Sequence, residues 1–474
     1  MLIWLVLIPL ISSVLIGLCK APARPTALLS ASLTLALGIW ALVSFDSCPE
    51  CWSQIGDTNL QLTLAPGLAK LMILLTILVT FATVLGTRAP EDAQASWYNS
   101  ALLISAGATG AFLSDNIISF FAFHELALIP TFVMIGLYGR GDKKTIAWRA
   151  TLYLGLASMV LLTGLLLLGS QLGYTFSAIN ANIANGDELR YGTLIAGLLL
   201  AGFGTLVSLF PFHSWAAPAY ASAPTPVAMM HAGVLKKFGL YGLFMLQPML
   251  SSSFAAWNET LLILIVGNII WVGYVTVNQK RLDLMLGNSS VMHMGYIFLA
   301  FAALIASGDD ANPIAYKGGA LLMLAHGLSI AMLFLFCGQI EAKTKTLELG
   351  SMGGLATKLP KLAFFFGLAG MASIGLPGLA NFPGEFMIFF SGFSTFTGSF
   401  GTLQIVTVIC LWGLVISAVY MLRAYRDIFL GETSLTCGRV TGDLTASDRA
   451  AGIFLAACLL LFGFVPNIVL SLIN

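Results

Sequence analysis

Long apolar runs, separated by short polar breaks, make up most of this sequence. A helix that spans a bilayer needs about 20 mostly apolar residues, and on that basis the runs predict about fourteen spans. No stretch shows the alternating pattern of a barrel strand, so the predicted fold class is an all-α polytopic membrane protein. The spans are predicted to begin near Leu2, Thr26, Leu64, Tyr98, Ile117, Ala147, Tyr191, Ser222, Trp257, Leu284, Ala315, Lys361, Gly401 and Asp448.

Composition supports a membrane protein and excludes several other classes. Of the 474 residues, 58% are hydrophobic and only 9% are charged, whereas a soluble domain is about 25% charged. Such a chain cannot cover its surface with polar groups, so lipid must surround most of it. The same numbers exclude a disordered chain and a secreted disulfide scaffold. The net charge of +1 gives no electrostatic attraction for nucleic acid.

Basic residues are distributed unevenly between the predicted loops. Seventeen of the 22 Lys and Arg residues lie in or beside alternate loops, and the positive-inside rule places those loops in the cytoplasm. With fourteen spans, both termini are then expected on the opposite side. The loop with Cys48 and Cys51 falls on that outer side as well, where a disulfide is chemically permitted. A disulfide or two free thiols is favoured over a metal site, because no third ligand is nearby.

Several ionisable residues lie inside the apolar runs. A charge at the bilayer centre costs about 2.5–3.5 kcal/mol on insertion scales, so each is a candidate functional residue. Glu125 is too short to reach a headgroup from mid-helix. One of the adjacent Lys236 and Lys237 is expected to face a polar track, because neighbouring helix residues point about 100° apart. His293 and His326 each lie near serines and are suited to relaying protons. For all of them the competing interpretation is a purely structural polar residue.

Glu385 lies next to a segment rich in proline and glycine, from Ile374 to Gly384. Such a segment predicts a discontinuous helix, which transporters use to build ion sites; a solvated loop at a helix end is the other interpretation. A second interruption, around Pro211, lies about 165 residues earlier, which matches the inverted repeats of many transporters. We therefore predict a pair of inverted five-helix repeats. The predicted regions are an N-terminal group of three helices at 1–97, repeats at 98–247 and 257–430, and a last helix at 448–474.

The ionisable residues inside the spans suggest proton or cation transfer. The candidate proton-transfer residues are Glu125, Lys237, His293, His326 and Glu385. The sequence contains no metal-ligand spacing, nucleophile elbow, phosphate loop or dinucleotide fingerprint. It also lacks the cysteine clusters that iron–sulfur centres require. We therefore expect the energy for transport to come from outside this chain.

These motifs resemble the antiporter-like membrane subunits of respiratory complex I, in family order and over nearly the whole chain. The matching segments are Phe120-Phe-Ala-Phe-His-Glu125, Phe210-Pro-Phe-His-Ser-Trp215, Gly233-Val-Leu-Lys-Lys237, Ser289-Ser-Val-Met-His293, Ala325-His-Gly-Leu-Ser329 and Asn381-Phe-Pro-Gly-Glu385.

The resemblance implies a proton-translocating subunit of an NADH-quinone oxidoreductase in the bacterial inner membrane. In this family, residues matching Glu125, Lys237 and Glu385 are the main proton-transfer positions, and those matching His293 and His326 link them. NADH, FMN, iron–sulfur clusters and quinone would be bound by partner subunits, and this chain would bind no cofactor or metal. Its partners would be neighbouring antiporter-like subunits and, indirectly, the peripheral redox arm.

One departure from the family concerns the partner of Glu125. The family usually has a lysine on the seventh span, where this chain has Leu206, and a proline where it has Ser208. His124, where the family usually has tryptophan, or Lys236 is a possible substitute. On this hypothesis, replacing either residue by alanine impairs pumping as severely as Glu125→Ala.

Three alternatives remain open from the sequence. The chain is a subunit of a multisubunit Na⁺/H⁺ antiporter, a subunit of a membrane-bound hydrogenase, or a scaffold that conducts no ions. The sequence also leaves the choice between H⁺ and Na⁺ open, because carboxylates and histidines serve both.

Overall fold

A computed structural model describes residues 1–44, 50–55, 58–64, 67–186, 188–308, 312–434, 440 and 442–473. Cys48 lies outside these ranges, so the state of the Cys48 and Cys51 pair stays a prediction. The described chain is almost entirely helical. The one hairpin in the described residues consists of β1 (Glu50–Ile55) and β2 (Thr58–Leu62), which pair antiparallel between the second and third helices.

The first half of the chain contains eleven α-helices among its described residues. They are α1 (Ile3–Gly17), α2 (Ala23–Ser44), α3 (Gly67–Gly86), α4 (Gln94–Leu113), α5 (Ile117–Tyr138), α6 (Lys143–Leu172), α7 (Phe176–Ala184), α8 (Gly192–Val207), α9 (Ala216–Ser222), α10 (Thr225–Met230) and α11 (Lys237–Leu246). A π-helical turn, His231–Leu235, joins α10 to α11.

The second half continues the same architecture. Its helices are α12 (Ser251–Ala255), α13 (Asn258–Val266), α14 (Val272–Val277), α15 (Leu282–Ala306), α16 (Pro313–Thr344), α17 (Pro360–Ser373), α18 (Asn381–Ser391), α19 (Thr402–Phe429), α20 (Ala446–Phe464) and α21 (Asn467–Leu470). A second π-helical turn, Gly267–Trp271, joins α13 to α14. Short 3₁₀ turns lie at Glu91–Ala93, Leu349–Ser351 and Leu355–Thr357.

The helices bear out the predicted all-α polytopic fold. Each predicted span start lies inside a helix or within three residues of one. Over the described ranges, nine helical spans are long and apolar enough to cross a membrane. Several others are broken, among them α9–α11 and α17–α18, which is why length alone does not identify them.

Two long helices form the centre of the bundle. The most apolar window of α16 is entirely buried inside the protein, and that of α15 is 94% buried. Outer helices such as α2, α6 and α19 instead expose large apolar residues, including Val43, Leu156 and Trp412. Lipid tails solvate such surfaces without cost, so this distribution fits a protein embedded in a bilayer. The central helices α15 and α16 carry His293 and His326.

Both predicted interruptions are present. The first runs from the end of α8 at Val207 to the start of α9 at Ala216, and a second short break follows at Ala223 and Pro224. The other lies between α17 and α18, where Ser373 ends one helix and Asn381 begins the next. The division into two inverted repeats stays a prediction, which these two breaks favour.

Candidate functional site: a buried row of titratable groups

Lys237 is fully buried at the start of α11, directly after a π-helical turn. The wide turn includes a bond from the Lys236 amide to the His231 carbonyl. The Lys237 ammonium donates to the Ala232 carbonyl at 2.9 Å. π-helical turns of this kind are often found at functional sites. Here the turn gives a buried lysine a fixed polar anchor.

The second contact of Lys237 is with a histidine on α16. Its Nζ lies 2.9 Å from Nδ1 of His326, a side chain that is 1% exposed. Among the described residues, no carboxylate lies within ion-pair distance of either group. Two positive charges this close in a buried site repel strongly, so the pair is suited to sharing one proton between its two nitrogens.

Two glycines allow this contact. The π-helical turn and α16 approach each other at Gly233 and Gly327, the residue that follows His326. A Cβ added to Gly327 would lie 2.6 Å from the carbonyl oxygen of Gly233, closer than real Cβ atoms come. The backbones are therefore nearly in contact, and this brings Lys237 within reach of His326.

His293 continues the row on α15. Its ring centroid lies 5.6 Å from that of His326. Each of its nitrogens lies 2.8 Å from a backbone carbonyl oxygen: Nδ1 faces Ser289, and Nε2 faces Ser373. A neutral imidazole has only one N–H, so both hydrogen bonds form only when the ring holds two protons. The site therefore suits a ring that temporarily carries an extra proton.

Glu385 lies at the far end of the row, behind the break between α17 and α18. Its side chain is 3% exposed, and its Oε1 has no hydrogen-bond partner among the described residues. The buried amide of Asn381, one helical turn earlier, is also without a partner there. The break itself packs on the carboxylate, since a Cβ on Gly375 would lie 2.0 Å from Glu385 Oε2. Ser373, which contacts His293, is only two residues before Gly375.

Glu125 lies at the opposite end of the row, in the first half of α5. Ser158 on α6 donates to its Oε1 at 2.6 Å. Nδ1 of His124 lies 3.4 Å from the same oxygen, and the side chains of His124 and Glu125 are 3% and 36% exposed. The His124 ring stacks on Phe238, the neighbour of Lys237, with 3.7 Å between centroids. Glu125 thus joins the buried interior to the outer face of the bundle.

The five predicted residues therefore form a row, but not an unbroken one. Direct contacts join Lys237 to His326, and the rings of His326 and His293 are neighbours. Glu125 and Glu385 are connected to this centre only through intervening groups, His124 with Phe238 on one side and the 373–375 backbone on the other.

Lys236 is also buried, and its Nζ lies 3.4 Å from Ser290 Oγ and 5.3 Å from the Tyr220 ring centroid. Both lysines are thus buried against polar or aromatic groups, in different directions.

Sequence reasoning missed several polar residues around this row. Ser158 binds Glu125, and the Tyr420 hydroxyl lies 2.6 Å from that of the already noted Ser289, beside His293. Arg140 holds the break between α9 and α10, because it donates to the carbonyls of Ala221 and Ala223. An isolated hydroxyl or tyrosine in an apolar run is a weak signal, since many such residues bond only to their own helix.

No group of three or more His, Cys, Asp and Glu residues within the described ranges is placed to hold a metal ion. The site consists of titratable side chains, hydroxyls and backbone carbonyls.

Comparison with known proteins identifies the family. A model of the family described as "NADH:quinone oxidoreductase/Mrp antiporter, TM" matches residues 114–411. A protein named NAD(P)H-quinone oxidoreductase chain 4 2, from Microcystis aeruginosa, is 32% identical over 83% of this chain and 70% of its own length. NADH-quinone oxidoreductase subunit M of Rickettsia bellii is 28% identical, over 94% of this chain and 90% of its own.

A solved structure gives the same fold. A chain of respiratory complex I from Thermus thermophilus superposes with a TM-score of 0.87 at 23% identity, and the match covers 100% of both chains. The family resemblance inferred from the motifs is thus confirmed. The family match includes every residue of the row, from Glu125 to Glu385, and these two relatives are named as parts of NADH- or NAD(P)H-quinone oxidoreductases. This chain belongs to the NADH:quinone oxidoreductase/Mrp antiporter transmembrane family.

Proposed function

We propose that this chain is a proton-translocating membrane subunit of an NADH-quinone oxidoreductase of the complex I type. The observation that carries the proposal is the buried contact between Lys237 Nζ and His326 Nδ1, at 2.9 Å. Two proton acceptors at this distance, without a carboxylate within ion-pair distance among the described residues, are suited to passing a proton from one to the other. A structural polar pair would be expected to include a hydrogen-bonded acid.

In this proposal, protons move along the row between Glu125, Lys237, His326, His293 and Glu385. A proton on the Lys237 ammonium passes to Nδ1 of His326, and the lysine becomes a neutral amine. His293 then receives a proton and holds it between the carbonyls of Ser289 and Ser373. Glu385 takes the proton at the break, where buried polar atoms without protein partners favour bound water.

The redox chemistry belongs to other subunits. Relatives named as subunits of NADH-quinone oxidoreductases support an assembly in which partner chains bind NADH, FMN, iron–sulfur clusters and quinone. This chain contributes neither a cofactor nor a metal in the proposal. Neighbouring antiporter-like subunits would be its direct partners. Its place would be the bacterial inner membrane, with both termini on the non-cytoplasmic side as the basic loops indicate.

The family name supports a second candidate, a subunit of an Mrp-type Na⁺/H⁺ antiporter. A non-conducting scaffold and a subunit of a membrane-bound hydrogenase are the remaining alternatives. Copurification separates the assemblies, because the chain would be accompanied by flavin and iron–sulfur subunits in the oxidoreductase, by antiporter subunits in the antiporter and by hydrogenase subunits in the hydrogenase.

Replacement of Lys237 tests proton translocation directly. In the intact complex reconstituted in vesicles, Lys237→Ala should lower the protons moved per electron, because the central donor of the row is lost. Acidification of the vesicle interior during NADH oxidation measures this ratio. Lys361→Ala, which removes an exposed lysine at the start of α17, serves as the matched control and should leave the ratio unchanged. An unchanged ratio in Lys237→Ala would support the scaffold.

A further inference from the structure

We infer that His124 is the proton-transfer partner of Glu125 and connects this carboxyl group to the buried lysine. The inference rests on the proposed function and assigns a role to a residue that the row of five does not include. It also chooses between His124 and Lys236, the two candidates that the sequence leaves open.

The first observation is the contact itself. Among the described residues, the one ion-pair contact of Glu125 is with His124, whose Nδ1 lies 3.4 Å from Glu125 Oε1. Ser158 donates to the same oxygen at 2.6 Å. A serine hydroxyl positions a carboxylate but does not store a proton near neutral pH, whereas an imidazole does.

The second observation is burial. The Glu125 side chain is 36% exposed, while that of His124 is only 3% exposed. Along the path from the outer face to the interior, the imidazole therefore comes after the carboxyl group. Its Nδ1 is buried and has no hydrogen-bond partner of good geometry within the described part of the chain. A small movement of the Glu125 carboxyl group would complete that bond.

The third observation is the direction in which His124 packs. Its ring stacks on Phe238 at 3.7 Å between centroids, with only 15° between the ring planes. Phe238 directly follows Lys237, so the stack fixes the imidazole beside the helix that carries the central lysine. A histidine kept only to fill space would not need its ring nitrogen directed at a carboxylate.

Lys236, the other candidate partner of Glu125, does not contact this carboxyl group. Its Nζ is directed to Ser290 on α15 at 3.4 Å and lies over the Tyr220 ring. Among the described residues, no ion pair joins it to Glu125. The structure therefore favours His124.

The proposed step balances as a simple proton transfer. The O–H bond of the protonated Glu125 carboxyl group breaks, and an N–H bond forms at Nδ1 of His124. The products are a carboxylate and an imidazolium ion. The imidazolium then loses a ring proton toward the interior, where the neutral amine of Lys237 is the acceptor, and the imidazole becomes neutral again. A proton that moves in the opposite direction follows the same steps in reverse order.

The test compares variants that remove either the basic imidazole of His124 or its ring contact with Phe238. In the intact complex in vesicles, His124→Phe keeps an aromatic ring against Phe238 but cannot carry a proton. We expect the protons moved per electron during NADH oxidation to fall to the value of Lys237→Ala, because the variant removes an acid–base group from the path. Phe238→Leu removes the stack and keeps the imidazole, and it should retain most of the translocation. Copurification of each variant with the subunits that oxidise NADH reports assembly.

Non-additivity provides a second measurement. If His124 and Glu125 act as one unit, the double variant His124→Phe/Glu125→Gln should be no worse than Glu125→Gln alone. If His124 were only structural, its replacement would lower proton translocation further in the double variant. If His124→Phe assembles poorly, His124→Asn can replace it, because it retains a hydrogen-bonding group without a titratable base. The same loss of proton translocation is expected in His124→Asn.

Two outcomes would overturn the inference. One is normal translocation in His124→Phe while Lys237→Ala is impaired, which would leave the proposed function in place. The other is a loss of proton translocation in Phe238→Leu equal to that in His124→Phe. It would mean that packing of the His124 ring on Phe238, and not the imidazole base, is what translocation requires. Normal translocation in Lys237→Ala would instead contradict the proposed function itself.

Discussion

At the residue scale, the groups of the row depend on backbone atoms as much as on one another. The Lys237 ammonium is bound by the Ala232 carbonyl, and the His293 ring by the carbonyls of Ser289 and Ser373. Buried polar groups are costly without such partners. The backbone is a suitable partner for a proton carrier, because a carbonyl accepts a hydrogen bond but does not compete for the proton.

Gly375→Ala should displace the carboxylate of Glu385. Gly375 has φ +71°, and an added Cβ would lie 2.0 Å from Glu385 Oε2, so the variant meets both backbone strain of about 1–2 kcal/mol and a direct clash. We expect a large fall in protons moved per electron in reconstituted vesicles. Gly378→Ala is the matched control, because Gly378 has φ +91° but its Cβ would meet only the outer ring atoms of Phe464. Equal losses in the two variants would attribute the effect to strain alone.

At the element scale, breaks and irregular turns decide where the ionisable groups lie. The π-helical turn before Lys237 and the break before Glu385 each place a titratable side chain next to backbone that a regular helix would have bonded internally. Irregular backbone at membrane depth persists only where it is buried in protein or lines a polar cavity. The π-helical turn packs on the central helix α16 through Gly233 and Gly327, and the helix after the break packs on it through Gly384 and Leu322.

Gly327→Ala should separate the π-helical turn from α16. The new methyl group would meet the Gly233 carbonyl oxygen and the end of Leu75, each at 2.6 Å. The backbone oxygen cannot move aside, so we expect the 2.9 Å contact between Lys237 and His326 to open and translocation to fall while the complex still assembles. Gly319→Ala on the same helix would meet the outer ring atoms of Phe244 instead. It should retain more translocation than Gly327→Ala, and the reverse order would contradict this account of the contact.

At the scale of the whole molecule, an ion pair joins the two halves of the chain. Arg140, after α5, contacts Glu341 near the end of α16 at 2.6 Å. The same guanidinium donates to the carbonyls of Ala221 and Ala223 at the break between α9 and α10. One residue thus holds α5, the broken helix and the central helix together on one side of the bundle.

Arg140→Ala should destabilise the protein more than Glu341→Gln. The arginine variant leaves the carbonyls of Ala221 and Ala223 without this donor, and an unsatisfied buried group costs about 1–3 kcal/mol. The glutamine variant keeps both carbonyl bonds and loses only a partly exposed ion pair, which contributes about 0–1 kcal/mol. The midpoint of thermal unfolding in detergent measures the difference. A larger loss in Glu341→Gln would mean that the ion pair, and not the carbonyl contacts, stabilises this region.

The sequence by itself determined the environment of the chain and the candidates for its chemistry. Apolar runs long enough to span a bilayer predict helices, because a backbone in lipid must satisfy its hydrogen bonds within each segment. For the same reason the Pro- and Gly-rich segment before Glu385 predicts a break. Glu125, Lys237, His293, His326 and Glu385 stand out because charges and imidazoles are costly in an apolar run.

Only the tertiary structure decided which of these groups meet. Lys237 and His326 are 89 residues apart in sequence, and their contact depends on a close approach of two glycines that no periodicity predicts. The two lysines in series look equivalent as sequence, yet one faces His326 and the other faces Ser290. His124 and Glu125 are neighbours in sequence, yet only the folded structure stacks the His124 ring on Phe238 of another helix. Local sequence fixes the chemistry and the depth of a side chain, whereas its partner depends on how separate helices pack.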